Sequence, residues 1–210
     1  MRRVLFALAV VLSMSAGAAN AVTVSDPTGD FLASFAGPND DDLDVTSFGV
    51  SFDTVASEFH LSATLAGPID PTSPGLYAIG VNTGAGAIRP FAGIGQPNVI
   101  FDQVVVLNQN GSAFVGPNSL TSSISGSDFS IIVPLGFLPS TGFDAEHYRF
   151  NLWPRTGLGA NSQISDFAPE NAMIASIPEP SGWAMMLLGV LALGGVLRRA
   201  PPSRTRAAFA

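Results

Sequence analysis

Hydrophobic and polar residues alternate with a period of two through the middle of the chain. Phe48, Val50 and Phe52 share one face of a run whose other face carries Ser47, Gly49 and Ser51. A second run sets Phe59, Leu61, Ala63 and Leu65 against His60, Ser62 and Thr64. Successive side chains of a strand point to opposite faces, so each run predicts a strand with one face on a core and the other in water. Asp53 to Ser57 suit a hairpin connection between them, and Gly67-Pro68 ends the second strand. Tyr77-Ile79-Val81, Val99–Leu107, Ala113–Val115, Phe129-Ile131-Val133 and Tyr148-Phe150-Leu152 predict further strands, with Val22-Thr23-Val24 as a short first one. Asn108-Gln109-Asn110-Gly111-Ser112 holds the Asn-Gly signal of a hairpin turn. Asp26-Pro27-Thr28-Gly29-Asp30 reads as a turn, since proline presets φ and glycine is free to take φ > 0. One helical turn fits between Pro134 and Gly142, and no stretch of the body has the pattern of an amphipathic helix of ordinary length. Short strands separated by Gly, Pro, Asn and Ser predict an all-β fold, an antiparallel β-sandwich of jelly-roll-like arrangement. No fixed period recurs, which argues against a solenoid.

The pattern changes at both ends. Arg2-Arg3, the apolar run Val4–Leu12 and the small residues of Ala19-Asn20-Ala21 have the three parts of a secretory signal peptide. Residues 1–21 are therefore expected to be removed by cleavage after Ala21, with Ala18 as the next candidate. At the other end, Pro178 and Pro180 fix their own φ and push Ile177 and Glu179 towards extended geometry. Ser181 then stands at an N-cap position, and no charge occurs from Trp183 to Leu197. As a helix that run would span about 22 Å, short against a hydrocarbon core of ~30 Å. Trp183 sits where an interfacial aromatic would lie, and Arg198-Arg199 favour a cytoplasmic end. A core helix would show polar positions at helical spacing, and this run has none.

The order of extended Pro178-Glu179-Pro180, apolar Trp183-Ala184-Met185-Met186-Leu187-Leu188-Gly189 and basic Arg198-Arg199 resembles the C-terminal sorting signal called PEP-CTERM. That resemblance implies recognition by exosortase, a membrane cysteine transpeptidase of Gram-negative bacteria, with cleavage at or near Pro178–Pro180. It also implies a transient membrane anchor and a link to exopolysaccharide and biofilm. Such tails usually stop near the arginines; here Pro201 to Ala210 continue, and Arg204 and Arg206 keep the extension on the cytoplasmic side. The expected organisation is a signal peptide over 1–21, a β body over 22–176, a sorting signal over 177–200 and a basic tail over 201–210. The expected location is beyond the inner membrane, at the cell surface or outside the cell after processing.

Charge sharpens the picture of the body. All 16 acidic residues lie between Asp26 and Glu179, where the cationic side chains are Arg89, Arg149 and Arg155; the chain has no lysine. A surface so acidic repels nucleic acid and anionic lipid. Divalent cations are the natural counter-charge, although acidity also serves solubility. With Cys 0 there is no disulfide, thiol nucleophile or zinc-thiolate site.

Asn39-Asp40-Asp41-Asp42-Leu43-Asp44 is the densest charge cluster. It is not an EF-hand, because counting from Asp40 the sixth place holds Val45 instead of glycine and the twelfth holds Ser51 instead of glutamate. Asp26, Asp30, Asp42 and Asp44 are the candidate calcium ligands, supplied by two acidic loops that bracket an edge strand; the alternative is that both loops are solvated turns. His60 and His147 are isolated and without cysteine, which disfavours a zinc or catalytic centre. Neither a G-x-S-x-G elbow nor a full dinucleotide fingerprint occurs, and Gly84-Ala85-Gly86 lacks the third glycine. Glu58, Glu146 and Glu170 are the carboxylates available for glycoside hydrolysis, which needs two at a defined separation. Trp153, Tyr148 and Tyr77 are the candidate sugar-stacking rings; Trp153 points opposite to Phe150 and Leu152, and the competing reading puts it in a core. The stretch from Asp26–Asp30 through Asp42-Leu43-Asp44-Val45 to Leu65-Ala66-Gly67 is similar to the opening of sugar-binding β-sandwiches related to family 9 carbohydrate-binding modules. The aromatic platforms of that family are not matched residue by residue. The expectation is thus an exported, non-enzymatic surface or matrix protein with no resident cofactor beyond calcium. The alternative is a calcium-assisted carbohydrate-binding module that engages extracellular polysaccharide.

Overall fold

The two alternating runs form a hairpin in the computed structural model, which describes residues 22–86 and 89–176. The signal peptide with Ala19 and Ala21 lies outside those residues. So does the sorting segment with Pro178, Glu179, Pro180, Trp183, Arg198 and Arg199. Among the described residues no helix is long and apolar enough to cross a membrane.

Ten strands carry the fold: β1 (Val22–Ser25), β2 (Val45–Asp53), β3 (Glu58–Leu65), β4 (Leu76–Asn82) and β5 (Gln103–Asn108) come first. They are followed by β6 (Ala113–Val115), β7 (Asn118–Ser125), β8 (Asp128–Pro134), β9 (Arg149–Arg155) and β10 (Ile174–Ala175). Every pairing is antiparallel, and the strands form one continuous sheet in the order β1-β2-β3-β8-β7-β6-β5-β4-β9-β10. The chain meanders from β1 to β3, jumps to β4, meanders back to β8 and jumps again to β9. The sheet curls nearly into a barrel, so that Cα atoms of its two end strands, β1 and β10, approach within 8 Å.

The curl encloses the main core. Phe48, Val50, Phe59 and Leu61 from one half meet Tyr77, Ile79, Val81, Phe150 and Leu152 from the other. These are the inward members of the period-two runs, and burying an apolar side chain of this size contributes about 1.5–3 kcal/mol. Phe59 is central, with ring centroids 4.7 Å from Phe52, 5.5 Å from Tyr148 and 5.2 Å from Phe150. The outer face of β4, β5 and β9 is covered as well. Loops bring Phe91, Val99, Ile164 and Phe167 onto Leu76, Ala78, Val106 and Trp153. Gly80 makes this possible, because a Cβ there would collide with the Trp153 indole.

The body is all-β and antiparallel, as the alternation implies. The run expected over Val99–Leu107 becomes a strand only at Gln103. Before it, Val99 is buried in the outer cluster, and the Asp102 carboxylate accepts from the Thr83 and Ala85 N–H groups and the Thr141 hydroxyl. The expected helical turn is a single 3-10 turn at Leu135–Phe137. Asn108–Ser112 closes its hairpin with the Asn108 N–H donating to Ser112 O at 2.9 Å and Gly111 at φ +88°.

Candidate cation site

Beyond β1, the Asp26 N–H donates to Thr46 O at 2.9 Å, which extends the β1–β2 ladder by one bond. Pro27 and Thr28 then turn the chain. Gly29, at φ +82°, adopts the left-handed conformation that glycine takes without strain. Its N–H donates to Asp44 Oδ2 at 2.7 Å, so the turn is anchored on the acidic segment that precedes β2. Asp30 follows and is exposed. Asp44 joins a 3-10 turn at Asp41–Leu43 to β2 and is only 2% exposed.

A third segment closes the site from far along the chain. After β9, isolated bridges Arg155↔Ile164 and Leu152↔Ala168 lay residues 164–168 back along that strand. The Ser165 hydroxyl donates to Leu43 O at 2.7 Å, which docks this segment on the 3-10 turn. Asp166, 4% exposed, accepts the Val45 N–H at Oδ2 (2.9 Å) and the Phe167 N–H at Oδ1 (2.6 Å). One carboxylate oxygen from each of Asp26, Asp30 and Asp166 then lies within 4.8 Å of the other two. Asp44 borders this triad through Gly29 and through its peptide bond to Val45.

No positive side chain among the described residues forms an ion pair with these groups. Among the described residues the one ion pair is His60–Glu58, at 3.1 Å, on the outer face of β3. Burial pushes the Asp26 carboxyl up to about 8, with the charges of Asp166, Asp30, Glu170 and Asp44 adding to it. Burial likewise pushes Asp166 up to about 7 against the pull of its two backbone donors. Asp44 is raised by burial too, although the Gly29 N–H opposes the shift. Two carboxylate oxygens, Asp26 Oδ2 and Asp44 Oδ1, are buried without any hydrogen-bond partner. Two ionised carboxylates whose oxygens lie within 4.8 Å of each other repel by roughly 3.5 kcal/mol or more at an effective dielectric of about 20. The nook is therefore suited to take up protons or a hard cation. An all-oxygen donor set suits calcium, whose ligands lie about 2.3–2.6 Å away and take irregular positions.

The sequence candidates separate on the structure. Asp26 and Asp30 come together with Asp166, Asp44 holds the turn between them through the Gly29 N–H, and the Asp42 carboxylate is used elsewhere. Asp42 Oδ2 accepts from Gln109 Nε2 at 2.8 Å and from the Asp70 N–H at 3.2 Å, and its carbonyl accepts from the Tyr77 hydroxyl at 2.8 Å. Asp42 thereby ties the β5–β6 turn to the front of β2, and with Asp40, Asp41 and Asp70 it lines a separate acidic cleft. Asp166 escaped sequence reasoning because it is a lone acid between buried neighbours, with nothing in its spacing to join it to Asp26.

The remaining candidates do not converge. His60 pairs with Glu58 on the outer face, and His147 and Glu146 are exposed on a 3-10 turn at Ala145–His147. Glu170 accepts from Gln96 Nε2 at 3.3 Å. Tyr77, Tyr148 and Trp153 are 0%, 1% and 2% exposed, so none of them offers a ring to a sugar. Trp153 does point away from Phe150 and Leu152, but the loops over that face bury it against Phe91, 5.1 Å away, and Phe101, 4.9 Å away.

No protein-family model matches the chain, and no curated protein matches it either.

Proposed function

We propose that the chain is an exported, non-enzymatic protein of the cell surface or extracellular matrix. Its body is released or re-attached when an exosortase cuts at or near Pro178–Pro180. The observation that carries this reading is the self-sufficiency of the sheet: every described strand finds its partners between Val22 and Ala175. Cleavage after Ala21 and again at the Pro-Glu-Pro tripeptide therefore leaves each strand pairing whole. The acidic body repels nucleic acid, and matrix polysaccharide is the partner the tail resemblance implies. In architectural terms we read the curled sheet as a β-sandwich, with β1, β2, β3, β8 and β7 on one side and β6, β5, β4, β9 and β10 on the other.

Mass spectrometry of the protein recovered from its exporting host tests the processing. A mature form beginning at Val22 and ending before Trp183 is expected. A mature form that still carries Trp183 and the residues behind it would overturn the proposal.

A second reading, a calcium-assisted carbohydrate-binding module, draws on the acidic nook. It needs a sugar platform other than the three rings the sequence offers, since all three lie inside the cores. Co-sedimentation of the mature protein with insoluble polysaccharides, with and without calcium, separates the readings: calcium-dependent retention favours the module, and retention that calcium does not alter favours the matrix protein.

A further inference from the structure

We propose that Asp26, Asp30 and Asp166 bind one calcium ion beside the buried Asp44 carboxylate, and that the ion latches the turn after the edge strand β1 onto the segment after β9. The site is independent of how the tail is processed, so the two proposals stand or fall separately.

Three observations converge on it. The first is geometric. Oxygens of Asp26, Asp30 and Asp166 lie within 4.8 Å of one another. Oxygens that close can all reach one ion, and calcium, at about 2.3–2.6 Å, accepts an irregular all-carboxylate set more readily than magnesium, which demands near-ideal octahedral geometry. The second is a pair of orphan acceptors. Asp44 is 2% exposed, its Oδ2 takes the Gly29 N–H, and its Oδ1 has no partner. Asp26 Oδ2 is buried and equally unpartnered. Buried polar atoms are nearly always hydrogen-bonded, so two orphan carboxylate oxygens at one acidic cluster call for a cation. The third is the lack of any other counter-charge: the one ion pair among the described residues involves none of these four. Asp30 is the exposed member of the set, so the site opens to solvent on its side.

The consequence is mechanical. β1 is a four-residue end strand whose one sheet neighbour is β2. Asp26 and Asp30 belong to the turn that follows it, whereas Asp166 belongs to the segment laid along β9. An ion shared by both joins elements that the sheet order puts at opposite ends.

Calorimetric titration of the chelator-treated full-length protein tests the assignment with calcium chloride, then with magnesium chloride. One calcium per chain is expected, at least tenfold tighter than magnesium, together with a higher melting midpoint. Hydrogen exchange of Val22–Asp30 should slow when calcium is added. Asp166→Asn and Asp44→Asn should each weaken calcium at least tenfold, whereas Asp144→Asn, an exposed acid in the β8–β9 connection, should leave affinity unchanged. Asp44→Asn can place its amide nitrogen at the unpartnered Oδ1 position and should melt in chelator no lower than the parent chain, whereas Asp166→Asn gives up one of its two backbone donors and should melt lower. If either fails to fold, the parent chain alone decides the point. Absence of calcium binding at millimolar concentration, equal affinity for magnesium, or unchanged affinity in both folded variants would overturn the proposal.

Discussion

Phe59 illustrates how much one inward-facing side chain carries in a fold without staples. It is fully buried and touches three other rings, so Phe59→Ala leaves a cavity that the curled sheet cannot close. A loss of about 3–5 kcal/mol is expected, which lowers the melting midpoint by roughly 10 °C in a calorimetric scan. Gly84 has a different role. It sits at φ +137°, and a Cβ there would collide with the Gly142 backbone. Gly84→Ala should therefore cost about 1–3 kcal/mol, read as a lower denaturant midpoint. Asp53 gives the pH dependence of the β2–β3 turn. Its Oδ1 accepts the Ala56 and Val55 N–H groups, which lower its pKa from 3.8. A depressed folded-state value means stability that is present above about pH 4 and lost as pH falls through the lowered pKa. Asp53→Asn should melt below the parent chain at pH 6, and the difference should close at pH 2. An equal difference at both values would show that the charge is not the cause.

At the scale of elements, legibility followed the inner face of each strand. β2, β3 and β8 were readable because their inner positions are unbroken runs such as Phe48-Val50-Phe52 and Phe129-Ile131-Val133. β7 was not, because its inner row reads Leu120, Ser122, Ile124. Ser122 spends its hydroxyl on Gly111 O at 2.6 Å instead of packing. β10 is two residues long and exists only through its pairing with β9, which no local pattern encodes. The alternation of β9 places Trp153 opposite Phe150 and Leu152, yet burial of that face depends on loops that come from elsewhere in the chain. The acidic site divides the same way. Asp26, Asp30 and Asp44 were legible as loop clusters, whereas Asp166 reaches Val45 across a separation of 121 residues. Strand environment also orders local stability. β4 is buried throughout and paired on both sides, whereas β1 and β10 end the sheet. Amide hydrogen exchange should be slowest in β4 and fastest in β1 and β10. Uniform protection across all ten strands would contradict that order.

For the molecule as a whole, one sheet serves as both wall and core. Its inner face is closed by curling and half of its outer face by loops, which lets a chain without cysteine bury two apolar clusters. The outward rows of the other half stay polar and short: Ser47 stands opposite Thr64, Thr64 opposite Asp128 and Asp128 opposite Ser125. With acidic residues far outnumbering arginines over the body, this is a surface suited to remaining dispersed in water. The near meeting of β1 and β10 brings the first and last strands of the body to neighbouring positions. Entry and exit through one slot make the body transplantable. A short glycine-serine bridge from Ser176 to Val22, with new ends opened at Asn110-Gly111, should yield a circular permutant with the parent's far-ultraviolet spectrum, and the same slot would let the unit be spliced into a surface loop of an unrelated carrier.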